Sequence, residues 1–152
     1  GRVTEYGIKA EAERLVKIKM ISESELSLMN FAEIERFFGT RLCGEIISSS
    51  YVGREKRFNI IEDSESFTGS KGEKVMVQGV IDCFFRNKDG TYTVVDYKTD
   101  RVKKTDGEQT LISRHSFQLG YYKRAVELIT GGKVSRTLIY SFCLGKEIEV
   151  KL

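Results

Sequence analysis

The sequence predicts an α/β domain with a central mixed sheet flanked by helices. Three observations lead there: helical apolar spacing through the first third, two strand-like runs joined by N-K-D-G, and a long amphipathic segment between that pair and a final pair of strands. At 152 residues the chain is read as one domain, 1–152, with a helical part at 1–50 and the sheet and principal helix at 51–152. A chain of this length buries roughly two thirds of its unfolded surface, enough for one core without staples.

Taken in order, Ile8, Leu15 and Ile18, with Ala12 and Val16, give helical spacing over 7–20. Ser22 with Glu25 forms a capping-box pattern that opens a second short helix. Asn30 and Glu33 start a third, with Ile34, Phe37 and Phe38 expected inward and Gly39 ending it. Residues 41–50 add a further short helix before 57–61 turns extended. From Val75 to Phe85 the pattern has period two, with Val75, Val77, Gly79, Ile81, Cys83 and Phe85 on one face and Met76, Gln78, Val80, Asp82 and Phe84 on the other. Both faces are largely apolar, so the strand is expected to be covered on both sides, and Asp82 stands out.

N-K-D-G, 87–90, then T-Y-T-V-V-D-Y-K make an antiparallel hairpin. Its loop decides where Asp82 points. A three-residue loop with Gly90 left-handed pairs Asn87 with Thr91 and sets Asp82 opposite Asp96, whereas a two-residue Asp89-Gly90 loop sends the two carboxylates to opposite faces. The residues alone leave both open. A charged connection, 101–113, precedes a helix from His115 to Ile129 with Phe117, Tyr121, Ala125 and Leu128 on one stripe, stopped by Gly131 and Gly132. Strands at 134–143 and 146–150 turn about Gly145.

Composition is that of a soluble globular chain, 40% hydrophobic and 31% charged. No apolar run is long enough for a membrane span, no leader opens the chain, and a cytoplasmic location is expected. Cys43, Cys83 and Cys143 are scattered and read as free thiols. A net charge of +3 is modest, but basic residues cluster at Arg54, Lys56 and Arg57, at Arg101, Lys103 and Lys104, and at Lys123 and Arg124. Such runs are either a solvated face or contacts to phosphate, and the loop from Arg101 to Arg114 is read both ways.

The chemistry lies in V-V-D-Y-K-T-D, 94–100. Asp96 and Lys98 share one strand face, and the three-residue loop adds Asp82. Facing carboxylates repel unless a cation or proton relieves them, and oxygen-only donors suit Mg²⁺ or Mn²⁺. With Lys98 beside them, metal-dependent phosphodiester hydrolysis follows. The plain alternative is an ion pair of Asp96 with Lys98 and an Asp82 satisfied by a lysine or an amide.

G-V-I-D at 79–82, D-Y-K-T-D at 96–100 and Q-L-G-Y-Y at 118–122 resemble the nuclease motifs of the RecB and AddA families of the PD-(D/E)xK superfamily, and are most similar to the carboxy-terminal nuclease domain of the AddA family. The resemblance implies a restriction-endonuclease-like fold, metal ligation by Asp82, Asp96 and the main-chain carbonyl of Tyr97, a catalytic Lys98, and a Q-x-x-x-Y helix presenting Gln118 and Tyr122. It further implies single-stranded DNA as substrate, Mg²⁺ with Mn²⁺ as substitute, an ATP-dependent helicase region in the same chain, an AddB-like partner subunit, and a place in double-strand break repair. The family also draws a metal-binding histidine from a helix at the start of the domain. Here His115 is the sole histidine and precedes the Q-x-x-x-Y motif, so the chain is expected to be a piece of a longer one. Two other readings remain: a non-catalytic DNA-binding or docking module of the same fold, supported by the missing histidine, and a stand-alone exonuclease of the Cas4 type, which four clustered cysteines would have favoured.

Overall fold

The structure, a computed structural model, describes residues 3–63 and 74–152. Four short helices come first: α1 (Glu5–Lys17), α2 (Glu23–Leu28), α3 (Phe31–Phe38) and α4 (Arg41–Ser48). Each starts where a side-chain oxygen can satisfy an orphan amide. Thr4, Ser22, Asn30 and Thr40 accept from the backbone N–H three residues on. The Ser22–Glu25 capping box closes on both sides, as its spacing predicts.

The sheet follows the order β1-β2-β3-β4-β5, built from β1 (Val52–Asp63), β2 (Lys74–Arg86), β3 (Tyr92–Lys98), β4 (Val134–Ser141) and β5 (Lys146–Glu149). Pairing is antiparallel except between β3 and β4, which the helix α5 (Gly107–Thr130) connects. The predicted mixed α/β sheet is therefore present, with one parallel pair where a helical crossover demands it. One core lies between the sheet and α5, through Phe58, Ile81, Phe84, Val94, Leu119, Val126 and Ile139. A second lies on the other face, where Leu42 and Ile46 of α4 cover Cys83, Phe85, Val95, Leu138 and Tyr140.

Three expectations need correction. First, Phe38 is 41% exposed; it is Phe37 that turns in, against the rings of Tyr97, Tyr140 and Phe142. Second, α5 begins at Gly107, well before His115, so 107–114 is helix rather than connection. No side-chain cap marks this start, since the carboxylate of Asp106 makes no capping bond. What selects glycine there is packing, because a Cβ at Gly107 would sit 2.7 Å from Val102. Third, the inward face of α5 is Leu111, Leu119, Tyr122, Ala125 and Val126, while Phe117 and Leu128 are each 66% exposed. The helix is turned by about one residue, roughly 100°, from the most apolar stripe, because polar Gln118 must face the charged end of β3.

The period-two alternation of β2 also breaks. Ile81 joins the α5-side core that holds Phe84, whereas Cys83 and Phe85 belong to the other face. In β1 a Cβ at Gly53 would meet the ring of Phe84, and Phe58 packs on Tyr122, so residues of opposite parity again share the α5 face. In both strands the alternation of faces changes at one place, between Arg54↔Cys83 and Lys56↔Ile81, with the pairing register unbroken. Asp82 lies at that change.

Candidate active site

The hairpin chooses the three-residue loop. Asn87 N–H donates to Thr91 O at 2.7 Å, Gly90 N–H to Asn87 O, and Gly90 has a φ of 88°, a conformation glycine adopts freely. Phe84↔Val94 and Cys83↔Val95 fix the register, whose next step sets Asp82 against Asp96. At that step side chain replaces backbone: Tyr97 N–H donates to Asp82 Oδ2 at 2.9 Å.

Asp96 is fully buried, and among the described residues neither carboxylate oxygen has a hydrogen-bond partner. Lys98 Nζ lies 2.9 Å from Asp96 Oδ2, an ionic contact outside hydrogen-bond geometry. Burial pushes the Asp96 carboxyl up to about 6, with Lys98 pulling it down and the neighbouring Asp82 carboxylate raising it further. A second arm of the site comes from α5. Lys98 Nζ donates to Gln118 Oε1 at 3.2 Å, and Gln118 Nε2 donates to the Tyr122 hydroxyl at 2.6 Å. Gln118 and Tyr122, four residues apart, stack on one helix face, and the edge of Phe58 wedges Tyr122 at a ring separation of 5.9 Å. The Tyr122 phenol is pushed up to about 12 by burial and then by the negative charges of Asp96, Asp82 and Glu55. The Tyr97 side chain leaves on the opposite face among Phe37 and Phe142, where burial raises its phenol strongly.

All six residues singled out in the sequence thus meet at the carboxy-terminal end of β3, with the side chain of Tyr97 turned away and its backbone at the site. His115, expected as a solvated helix-start residue, is instead a mid-helix residue whose Nε2 lies 3.4 Å from Asp100 Oδ1. Burial and the Lys98 charge lower its pKa against the pull of Asp100. Asp100 also meets Arg114. Of the basic clusters, Arg101 is paired with Glu33 of α3 at 2.6 Å, and Arg124 of α5 is held by Glu62 of β1. Sequence reading missed the His115–Asp100 pair because nothing in apolar spacing shows Asp100, just past β3, reaching a residue on α5.

The donor chemistry fits a hard divalent ion. Two carboxylates at adjoining strand positions, one of them buried with no hydrogen bond to either oxygen, are oxygen ligands whose ion-pair partner among the described residues is Lys98. Among the described residues no three Asp, Glu, His or Cys side chains gather as a ligand set, so protein ligation by side chains stops at two.

Residues 9–148 match the PD-(D/E)XK nuclease superfamily. The chain belongs to this superfamily. Its curated relatives include an ATP-dependent helicase/nuclease subunit of Clostridium perfringens strain 13, 35% identical over 153 residues, covering 94% of this chain and 12% of the relative. The protein of the same name from Thermoanaerobacter sp. strain X514 is 36% identical over 148 residues, with the same coverage of each. Its namesake from Oceanobacillus iheyensis is 35% identical over 155 residues, 97% of this chain. This PD-(D/E)XK chain spans about an eighth of the length of those relatives (12%), and the five-stranded sheet with flanking helices is the fold the superfamily resemblance implied. None of its described helices is long and apolar enough to cross a membrane.

Proposed function

We propose that the chain hydrolyses phosphodiester bonds of single-stranded DNA with a divalent ion, Mg²⁺ or Mn²⁺, held by Asp82, Asp96 and the main-chain carbonyl of Tyr97. The observation that carries this reading is Asp96, wholly buried and without a hydrogen bond to either oxygen, beside a second carboxylate. Lys98 supplies one positive charge to the two carboxylates, and burying the second negative charge is costly unless a further cation balances it. When bound, the ion supplies Lewis acidity toward a phosphoryl oxygen and lowers the pKa of a coordinated water.

The protein's own groups set the geometry around it. Asp82 is oriented by the Tyr97 amide, so its Oδ2 is fixed by backbone rather than by a mobile side chain. Lys98 is held between Asp96 and Gln118, which leaves ammonium hydrogens to orient a water or to offset charge on the scissile phosphate. Gln118 and Tyr122 keep the ammonium in place and border the path of the strand. Arg54, Lys56 and Arg57, all exposed on β1, supply charge for the phosphate backbone.

In this reading the chain is the nuclease domain of a longer ATP-dependent helicase-nuclease, acting as an exonuclease on a strand unwound by the linked motor. Its partner is an AddB-like protein, and its work is cytoplasmic double-strand break repair. The basis is the similarity to proteins named as ATP-dependent helicase/nuclease subunits, of which the chain covers 12%. The test is cleavage of end-labelled single-stranded DNA by the purified chain with Mn²⁺. Cleavage that disappears in Asp96→Ala and in Lys98→Ala supports it. Salt-sensitive DNA binding with no cleavage points instead to a docking module.

A further inference from the structure

Among the described residues two other than glycine have positive φ: Lys19 at 59°, just past α1, and Glu55 at 48°. A helix end explains the first. Glu55 lies inside a twelve-residue strand, where the left-handed conformation is sterically disfavoured for any residue with a Cβ. It falls between the pairs Arg54↔Cys83 and Lys56↔Ile81, so the residue it faces across the ladder is Asp82. Here β1 and β2 slip their alternation together, which brings Gly53 against Phe84 and Phe58 against Tyr122 on one face. The Glu55 side chain is exposed, and its charge reaches the Tyr122 hydroxyl together with those of Asp96 and Asp82.

We propose that Glu55 is a further acidic residue of the cation site, holding through a bound water the solvent side of the ion that Asp82 and Asp96 ligate. The inference rests on the function proposed above and deepens it. Three features favour it over a purely structural bend. Asp96 is fully buried with no hydrogen bond to either oxygen among the described residues, and Lys98 alone offsets its charge and that of Asp82 beside it. Glu55, Asp82 and Asp96 carry three negative charges against one on Lys98, leaving two to match a divalent ion. Because among the described residues no third carboxylate comes within direct ligand reach, and Mg²⁺ retains several of its waters, contact through water is the geometry Glu55 can provide.

The experiment measures the affinity for Mn²⁺ alone, by calorimetry and by electron paramagnetic resonance of the free ion. It uses the 152-residue chain and its Glu55→Gly, Glu55→Gln, Asp63→Asn and Asp96→Asn variants. Thermal unfolding in chelator is recorded for each. Glu55→Gly is expected to unfold at the same or a higher temperature than the parent, since glycine accepts the left-handed backbone. Both Glu55 variants are expected to bind Mn²⁺ about ten-fold more weakly, the low end of what residues supporting metal ligands contribute. Asp63→Asn, the same charge change at the far end of β1, should bind within two-fold of the parent, about the scatter of such comparisons. Either Glu55 variant binding as tightly as Asp63→Asn overturns the proposal. An unmodified chain that binds no Mn²⁺, or an Asp96→Asn variant that binds it undiminished, overturns the cation site itself and this inference with it.

Discussion

Replacing Asp96 by asparagine should make the metal-free chain more stable. Burial holds the carboxyl at about 6 against a usual value of 3.8, a difference of about two pKa units. At about 1.36 kcal/mol per unit, the ionised group at neutral pH costs the fold about 3 kcal/mol relative to a neutral one. Desolvating the amide that replaces it takes back about 1–2 kcal/mol, so a net gain of about 1–2 kcal/mol is expected. For a chain of this size that is a rise of about 2–8 °C in melting temperature. The size of the difference depends on pH, and at the acid end, where only the amide cost of about 1–2 kcal/mol remains, its sign reverses. Below the unfolded value of 3.8 both folded and unfolded carboxyls are protonated and wild type bears no penalty. Through the interval up to about 6 wild type loses stability because the unfolded group ionises while the folded one keeps its proton, and above it the full gap from the variant is present. Urea denaturation of both proteins in chelator, from about pH 4 to pH 7.5, reads this directly. A variant no more stable than wild type at neutral pH, or a gap that does not narrow toward pH 4, would refute the reasoning.

Further expectations follow from the packing and the site. Leu119→Ala, at a fully buried position on α5, should cost about 2–5 kcal/mol, whereas Leu128→Ala, 66% exposed, should stay within about 0.5 kcal/mol; denaturation midpoints distinguish them. Gly53→Ala places a Cβ 2.3 Å from the ring of fully buried Phe84 and should cost about 1–3 kcal/mol. Gln118→Ala removes the acceptor for Lys98 and the donor to Tyr122, and should lower the cleavage rate by about 10²-fold, within the range for positioned proton-transfer and charge-stabilising groups, with Mn²⁺ affinity unchanged.

The hairpin shows how far local chemistry reaches. N-K-D-G admits two loops, and only the three-residue one, closed by Asn87 N–H donating to Thr91 O, brings Asp82 and Asp96 together. Alternation placed Asp96, Lys98 and the outward Tyr97 correctly because β3 is regular over its seven residues. It failed in β2, where the slip opposite Glu55 lets Ile81 and Phe84 share a face, an event with no signature in apolar spacing. It failed again in α5, whose rotation is set by Gln118 reaching for Lys98 rather than by the apolar stripe through Phe117 and Leu128. Motif spacing located the polar constellation, while tertiary contacts decided which face of each element presents it.

The central claim is that Asp82 and Asp96 face a common point on the α5 side of the sheet that a divalent ion occupies. Anomalous diffraction from crystals of the chain soaked in Mn²⁺ tests it most directly. The account predicts one strong peak about 2.0–2.3 Å from a carboxylate oxygen of each aspartate and from the carbonyl of Tyr97. A map with no peak there, or with the two carboxylates on opposite sides of the sheet, would contradict it.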